Sequence, residues 1–443
     1  MELAQKRFSF VIPTRDRAAF VSRSVKSILD QKFSNFEVIV YDNPSSPDLA
    51  CAGVVEGFDD QRVKYYRAPV PLDLCENWEA AIKHATGEYV SIFFDKFIFK
   101  PNGLSDIDEA INNFNSPDLI SWPRETFYPE HDISCEGGIS GVFEPTLFPG
   151  RPRRYSPQRE LKRRLTFVTP RGGPGDLFHR GKIVFGFYKK VLLDKIVEKS
   201  GSVFPPYYPD YTSLSQALSI ANTGVDMMTP YIIGIQPKHS TGLILDKEAG
   251  GVRSYLSRFG DADTLSAGLP FEGVASSQHN VVARDYLFGI ISVGKMNDYW
   301  VRSINKNNLL NCIYRDLILS PKRTRDIEKE IKEIKNYAIK NNVAMGVFEN
   351  RKMSVLDAVL SFIVFTILNA DSVRFLKFTR HFIDYEKLRG KFIYWPKEIR
   401  GGEGGRAPNY YSSVDEAMKF MCKYYSGGWF RAKVKYLYWK GVR

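Results

Sequence analysis

The residues with chemistry to offer stand directly after short apolar runs. Pro13, Thr14, Arg15 and Arg17 follow FSFVI, Asp42 and Asn43 follow EVIVY, and Asp95 and Lys96 follow YVSIFF. Carboxylates at such points can accept hydrogen bonds from a ligand's polar edge, and guanidinium groups can grip phosphate oxygens in bidentate fashion. Two further groups lie far along the chain: Asp210 in YYPDYTSLSQA, and His239 in KHSTG. Asp176, in GGPGD, is a second acid of lower rank. Each has an ordinary explanation when taken alone. Asn, Pro, Ser and Asp form surface turns, an acid opening a helix caps it, and a lone histidine is more often structural. The arginines of RPRRYSPQRELKRR (Arg151, Arg153, Arg154, Arg159, Arg163 and Arg164) read either as a solvated basic helix or loop, or as a contact for an anion.

These residues meet only if the fold gathers the strand ends. Phe8 to Ile12, Glu37 to Tyr41, Val63 to Tyr66 and Tyr89 to Phe94 read as buried strands, and helical spacing falls between them. Phe20, Ser24, Ile28 and Leu29 mark one helix. Asn77 to His84 mark another, with Asn77 and Trp78 as cap and packing residues and Thr86-Gly87 as its end. Strands alternating with helices imply an α/β fold with a mostly parallel sheet covered on both faces. Ligands of such sheets bind beyond the carboxyl ends of the strands. From about residue 280 the pattern turns helical, and Ile327, Ile331, Ile334 and Ala338 form an apolar stripe among Lys and Glu. The expected organisation is one α/β domain over 1–245 and a mainly helical region over 246–443.

The 443 residues are 44% hydrophobic and 25% charged, which excludes a disordered chain, a collagen-like chain and a small disulfide scaffold. The net charge of +12 favours polyanionic partners: nucleic acid, an anionic membrane face or a phosphorylated substrate. No helix-turn-helix, zinc or RNA-binding motif supports nucleic acid, so none is expected. Five widely spaced cysteines without a CxxC pair indicate neither a zinc site nor a disulfide framework. The apolar run Ala358 to Leu368 is shorter than the about 20 residues a membrane span needs. It reads as a buried or membrane-surface helix. The end of the chain, with Trp429, Phe430, Arg431, Lys433, Lys435, Tyr436, Tyr438 and Trp439, mixes aromatics with cations. That suits an anionic bilayer surface, and core packing of the aromatics is the alternative. The expected location is cytoplasmic, peripheral on the inner face of the cell membrane.

The stretch VIPTRDRAAFVSRSVKSILDQKFSNFEVIVYDNPSSPD resembles the opening of family 2 glycosyltransferases, which have the GT-A nucleotide-sugar-binding fold. ENWEAAIKHATGEYVSIFFDKFIFKPNGL resembles that family's next block, where a strand delivers an acidic metal-binding motif. The features occur in order over residues 7–104, with a looser match to about 245. The resemblance implies a GT-A sheet flanked by helices. It also implies transfer of a sugar, with inversion, from a nucleotide diphosphate sugar (a UDP-sugar above others) to a hydroxyl of a cell-surface polysaccharide or lipid-linked glycan. Asp42 would then contact the base, while Pro13, Thr14, Arg15, Arg17 and Asn43 would line the nucleotide. Asp210 matches an acidic residue that opens a helix near the donor, and would be the general base.

The family's cation, Mg²⁺ or Mn²⁺, is held by an Asp-x-Asp motif of hard oxygen ligands. Asp95, Lys96 and Phe97 occupy that motif here, so the second carboxylate is replaced by Phe97. Three consequences stay open. The Lys96 ammonium offsets the diphosphate charge in place of metal; Asp95 shares a metal with His239; or turnover is lost and nucleotide-sugar binding alone remains.

Overall fold

A strand buried along its whole length must be covered on both faces. Phe8–Thr14 (β1) and Phe36–Asp42 (β2) are of this kind. In the computed structural model, residues 5–45, 49–130, 140–144, 151–167, 177–237, 250–320 and 324–343 are described, with isolated positions from 345 to 419. The remaining strands are Val63–Arg67 (β3), Tyr89–Ile92 (β4), Phe97–Phe99 (β5), Leu119–Ser121 (β6), Arg124–Pro129 (β7), Gly141–Glu144 (β8), Arg153–Tyr155 (β9), Gly186–Lys189 (β10), Gly224–Asp226 (β11), Ile232–Ile235 (β12) and Tyr410–Tyr411 (β13).

The main sheet has the order β3-β2-β1-β4-β10-β6-β11-β9. β1 pairs in parallel with β2 and β4, β2 with β3, and β6 with β11. β10 runs antiparallel to both β4 and β6, and β9 antiparallel to β11. The carboxyl ends of β3, β2, β1, β4, β6 and β11 therefore share one edge of the sheet. A second sheet, β13-β8-β7-β12-β5, leaves from that side. This is the expected α/β architecture, a mostly parallel sheet flanked by helices.

The helix Ala18–Leu29 buries Ala19, Val21, Ser24, Val25 and Ile28, which lie on one face at helical spacing. The helix Leu74–Ile82 starts three residues earlier than Asn77 suggests. Asp73 is its N-cap, in a reciprocal capping box with Glu76, and Asn77 is buried inside the helix. The expectation that Asn77 is the cap is thus corrected. Asp73 lies nearer to a proline-containing turn, and an apolar-periodicity reading starts at the first buried side chains instead.

Between residues 250 and 343 the described elements are helical. Gln278–Ser292 packs along Pro209–Ile220, and Lys306–Ile318 packs on Gln278–Ser292. Arg325–Lys340 buries the stripe Ile327, Ile331, Ile334 and Ala338. One continuous hydrophobic cluster runs from Phe8 to Ala338. No helix among the described residues is long and apolar enough to cross a membrane. The 358–368 run, the loop 401–408 and the basic aromatic end at 429–443 lie outside the described residues.

Candidate active site at the carboxyl edge of the sheet

Register brings the strand ends together. Thr14 lies opposite Asp42, and Asp42 lies opposite Arg67. Val11 lies opposite Ile92, three residues before Thr14 and Asp95 respectively. The side chains close the arrangement. Thr14 Oγ1 donates to Asp95 Oδ2 at 2.8 Å, and a guanidinium nitrogen of Arg17 lies 3.5 Å from Asp95 Oδ1. Asp42 Oδ2 accepts from the Tyr65 hydroxyl at 2.8 Å and from Arg67 at 3.4 Å. Asp42 and Asp95 are both buried, and so is Thr14 between them. The Cys51 thiol senses both acids: burial first, then the charges of Asp42 and Asp95, push it up to about 12.

The flanking turns are pinned to each other. Asp16 adopts a left-handed backbone (φ 53°), and its carboxylate accepts from the Ser45 backbone N–H at 3.1 Å and the Ser45 hydroxyl at 2.5 Å. Asn43 accepts from the Leu72 N–H and donates to the Leu72 carbonyl, each at 2.9 Å. Asn43 thus fastens the segment that follows β3. Pro13 is buried within β1, whereas Arg15 is exposed at the turn. Of the two arginines after β1, the contact with Asp95 comes from Arg17.

Lys96 is half-buried, and burial followed by the charge of Arg124 pulls its ammonium down to about 8, with Asp95 opposing. Phe97 points into the core. It is fully buried and packs on Phe93, Phe94 and Phe185 with ring centroids 5.5, 5.0 and 5.8 Å away.

Asp210 stands in the first turn of Pro209–Ile220, where no side chain caps the helix. Its partner is instead Lys182, whose Nζ donates to Asp210 Oδ2 at 2.6 Å. Lys182 is fully enclosed, its ammonium 3.5 Å from the Tyr211 ring centroid and 4.0 Å from that of Phe178. Asp210 keeps 24% of its side chain exposed. A carboxylate is thereby fixed between a buried cation and open space. Ser91, in β4, donates to the carbonyl of Ile183 at 3.1 Å, which sets this pair beside the main sheet.

The basic stretch is largely engaged within the protein. Arg163 donates to Glu160, while buried Arg164 donates to the carbonyls of Leu177 and Arg180 at 2.8 and 2.9 Å. Arg154 donates to the carbonyl of Phe114 at 3.0 Å. These contacts bind the chain to itself.

Sequence reasoning missed a cluster at the end of β11. Asp226 accepts from Arg180 Nε at 2.6 Å, and His179 Nε2 lies 3.0 Å away. Burial alone would raise the Asp226 carboxyl, but His179 and Arg180 outweigh it and hold it well below the usual carboxylate range. An acid ending a strand beside Ser121 was the available signal. Asp176 and His239 lie outside the described residues.

Among the described residues, the donor set around Asp95 does not fit a hard divalent cation. Among the described residues no group of three or more His, Cys, Asp or Glu can hold a metal, and both Asp95 oxygens already face Thr14 and Arg17.

Residues 9–114 match the family model described as glycosyl transferase family 2. The matched stretch holds strands β1 to β4 of the sheet described above and the helices between them. A protein named as a colanic acid biosynthesis glycosyl transferase (WcaA) of Escherichia coli K12 is 27% identical over 158 residues, covering 35% of this chain and 53% of that one. A GalNAc(5)-diNAcBac-PP-undecaprenol β-1,3-glucosyltransferase of Campylobacter jejuni is 28% identical over 116 residues, covering 24% of this chain and 35% of that one. The matched stretch thus spans about half the length of the first relative and about a third of the second. The crystal structure of S. aureus TarS 1–349 in complex with UDP-GlcNAc aligns over 75% of this chain and 92% of that one, at 14% identity and a TM-score of 0.42. At that score the likeness supports nothing by itself.

Proposed function

We propose that the protein is an inverting glycosyltransferase. It moves a sugar from a nucleotide diphosphate sugar, a UDP-sugar, to a hydroxyl of a cell-surface polysaccharide or lipid-linked glycan. One observation carries this reading: within a family 2 domain, Asp42 and Asp95 flank Thr14 at the edge where parallel sheets bind ligands. The names of the two relatives, a colanic acid biosynthesis glycosyl transferase and a GalNAc(5)-diNAcBac-PP-undecaprenol β-1,3-glucosyltransferase, support the acceptor class.

In this reading Asp42, held by Tyr65 and Arg67, receives the base edge of the nucleotide, and Thr14, Arg15 and Arg17 line the phosphates. Asp210 takes the proton of the acceptor hydroxyl. The freed oxygen pair forms the new bond to the anomeric carbon. The carbon–oxygen bond to the diphosphate breaks on the opposite face, and the diphosphate leaves with that electron pair. Lys182 keeps the Asp210 carboxylate in one place. Residues 1–245 constitute the transferase domain, and the helical remainder serves as acceptor platform, its basic aromatic end resting on the anionic inner face of the membrane. Phe97 supports a second reading, a nucleotide-sugar-binding protein without turnover.

A thermal-shift screen of nucleotide sugars on wild type and Asp42→Ala tests the proposal, with donor consumption followed in parallel. A UDP-sugar should stabilise the wild type. Loss of a charged hydrogen-bond partner of about 1.5–3 kcal/mol should weaken binding roughly 10- to 100-fold in the variant. No stabilisation by any nucleotide sugar, or equal binding by Asp42→Ala, would refute the site. Binding without any donor consumption, across acceptor extracts, would favour the second reading.

A further inference from the structure

We propose that Arg17, Lys96 and Arg124 hold the donor diphosphate directly, with no divalent cation between protein and phosphate. The inference rests on the nucleotide-sugar reading above and specifies how that site handles charge. A hard cation needs several anionic oxygens at short range. Here the place of the motif's second acid is taken by Phe97 in the strand β5, whose ring carries no oxygen and packs on Phe93, Phe94 and Phe185. The remaining carboxylate, Asp95, already accepts from Thr14 and faces Arg17.

Cations collect at the same point. Arg17 lies 3.5 Å from Asp95, the chain neighbour of Lys96, and a Cβ on Gly234 would meet both the Phe97 ring at 3.2 Å and an Arg124 guanidinium nitrogen at 3.6 Å. The Arg124 guanidinium lies 5.4 Å from the Phe185 ring centroid, the same ring on which Phe97 packs. Arg17, Lys96 and Arg124 are the cations set against the two phosphoryl charges of a nucleotide diphosphate sugar. Guanidinium forks also suit phosphate oxygens bidentately, as a point cation does not. Fixed cations in a partly desolvated site stabilise a leaving diphosphate without reorganising during the reaction.

The experiment is calorimetric titration of the full chain with UDP, UMP and uridine, in EDTA and again in Mn²⁺, with GDP, ADP and dTDP run beside them. The diphosphate should bind at least tenfold more tightly than the monophosphate in EDTA, and Mn²⁺ should change that ratio by less than about twofold. Lys96→Met and Arg124→Gln should each remove most of the diphosphate preference and leave uridine binding unchanged, while Lys96→Arg should retain it. Diphosphate binding that appears only with Mn²⁺ overturns this inference and leaves the transferase reading standing. Equal loss of uridine, UMP and UDP binding in both variants also overturns it. Failure of every nucleotide to bind, with or without Mn²⁺, overturns the transferase reading as well. The wild-type EDTA comparison needs no variant and decides the matter even if a substitution prevents folding.

Discussion

The Lys182–Asp210 pair is asymmetric, and the asymmetry is measurable. Lys182 is fully enclosed, whereas Asp210 keeps 24% of its side chain exposed. Removing the lysine leaves a carboxylate that water can reach. The loss is then close to one charge-assisted hydrogen bond, about 1.5–3 kcal/mol. Lys182→Met also retains an apolar chain against the rings of Tyr211 and Phe178, which moves the expected cost toward the lower figure. Removing the acid takes this carboxylate from an ammonium that water does not reach. Breaking a buried pair from that side costs about 3–5 kcal/mol. Asp210→Asn should therefore be the more damaging single change. The double variant should be more stable than Asp210→Asn alone, because the stranded charge is gone. Urea denaturation at neutral pH on the four proteins gives these differences directly. If Asp210→Asn costs no more than Lys182→Met, or if the double variant loses the sum of the two singles, Asp210 does not neutralise a buried cation. The same set separates folding from chemistry. A general base contributes about 10²–10⁴-fold to rate, so correctly folded Asp210→Asn should lose that much kcat while Lys182→Met loses far less.

Glu330 gives a pH prediction. Burial pushes its carboxyl up to about 7 from 4.5, against donors on Ala275 and Ser276 and the nearby Arg253, which also faces Asp263 and Asp326. A folded value above the unfolded one means its stabilising contribution is complete below about pH 4.5 and is lost as pH rises through 7. Wild type should lose about 1–3 kcal/mol relative to Glu330→Gln between pH 5 and pH 8, and parallel stability profiles would refute the shift. Gly289 tests the contact between Gln278–Ser292 and Pro209–Ile220. A Cβ there would meet Ser215 Oγ at 1.8 Å and the Thr212 carbonyl oxygen at 2.7 Å. Overpacking of about 1–3 kcal/mol should exceed the roughly 1 kcal/mol that alanine gains in a helix, so a Gly289→Ala variant with a raised melting temperature would contradict the close approach.

Local sequence carried the elements that make the edge of the sheet. Apolar runs at 8–12, 37–41 and 89–94 are strands because every side chain in β1, β2 and β4 is buried, and continuous burial reads as a continuous hydrophobic run, whereas the run at 63–66, expected as a buried strand, is half-buried because β3 lies at the edge of the sheet. Parallel order then places Thr14, Asp42 and Asp95 side by side, since each directly ends or follows a strand of the same direction. The stripe from Ile327 to Ala338 was legible for the same reason, a period matched to one buried helix face.

Partnerships between distant charges were decided by the tertiary structure alone. Lys182 in HRGKIVFGF reads like any surface lysine, yet it is enclosed and meets Asp210 only because its loop passes beneath the helix Pro209–Ile220. Arg163 and Arg164 read as an exposed basic run, yet Glu160 and the carbonyls of Leu177 and Arg180 absorb them. Arg180 and His179 converge on Asp226 from segments 46 and 47 residues away. The physical reason is range. Burial periodicity is imposed by immediate neighbours along the chain, whereas the value of a charge depends on which remote segment excludes water from it and supplies its counter-ion.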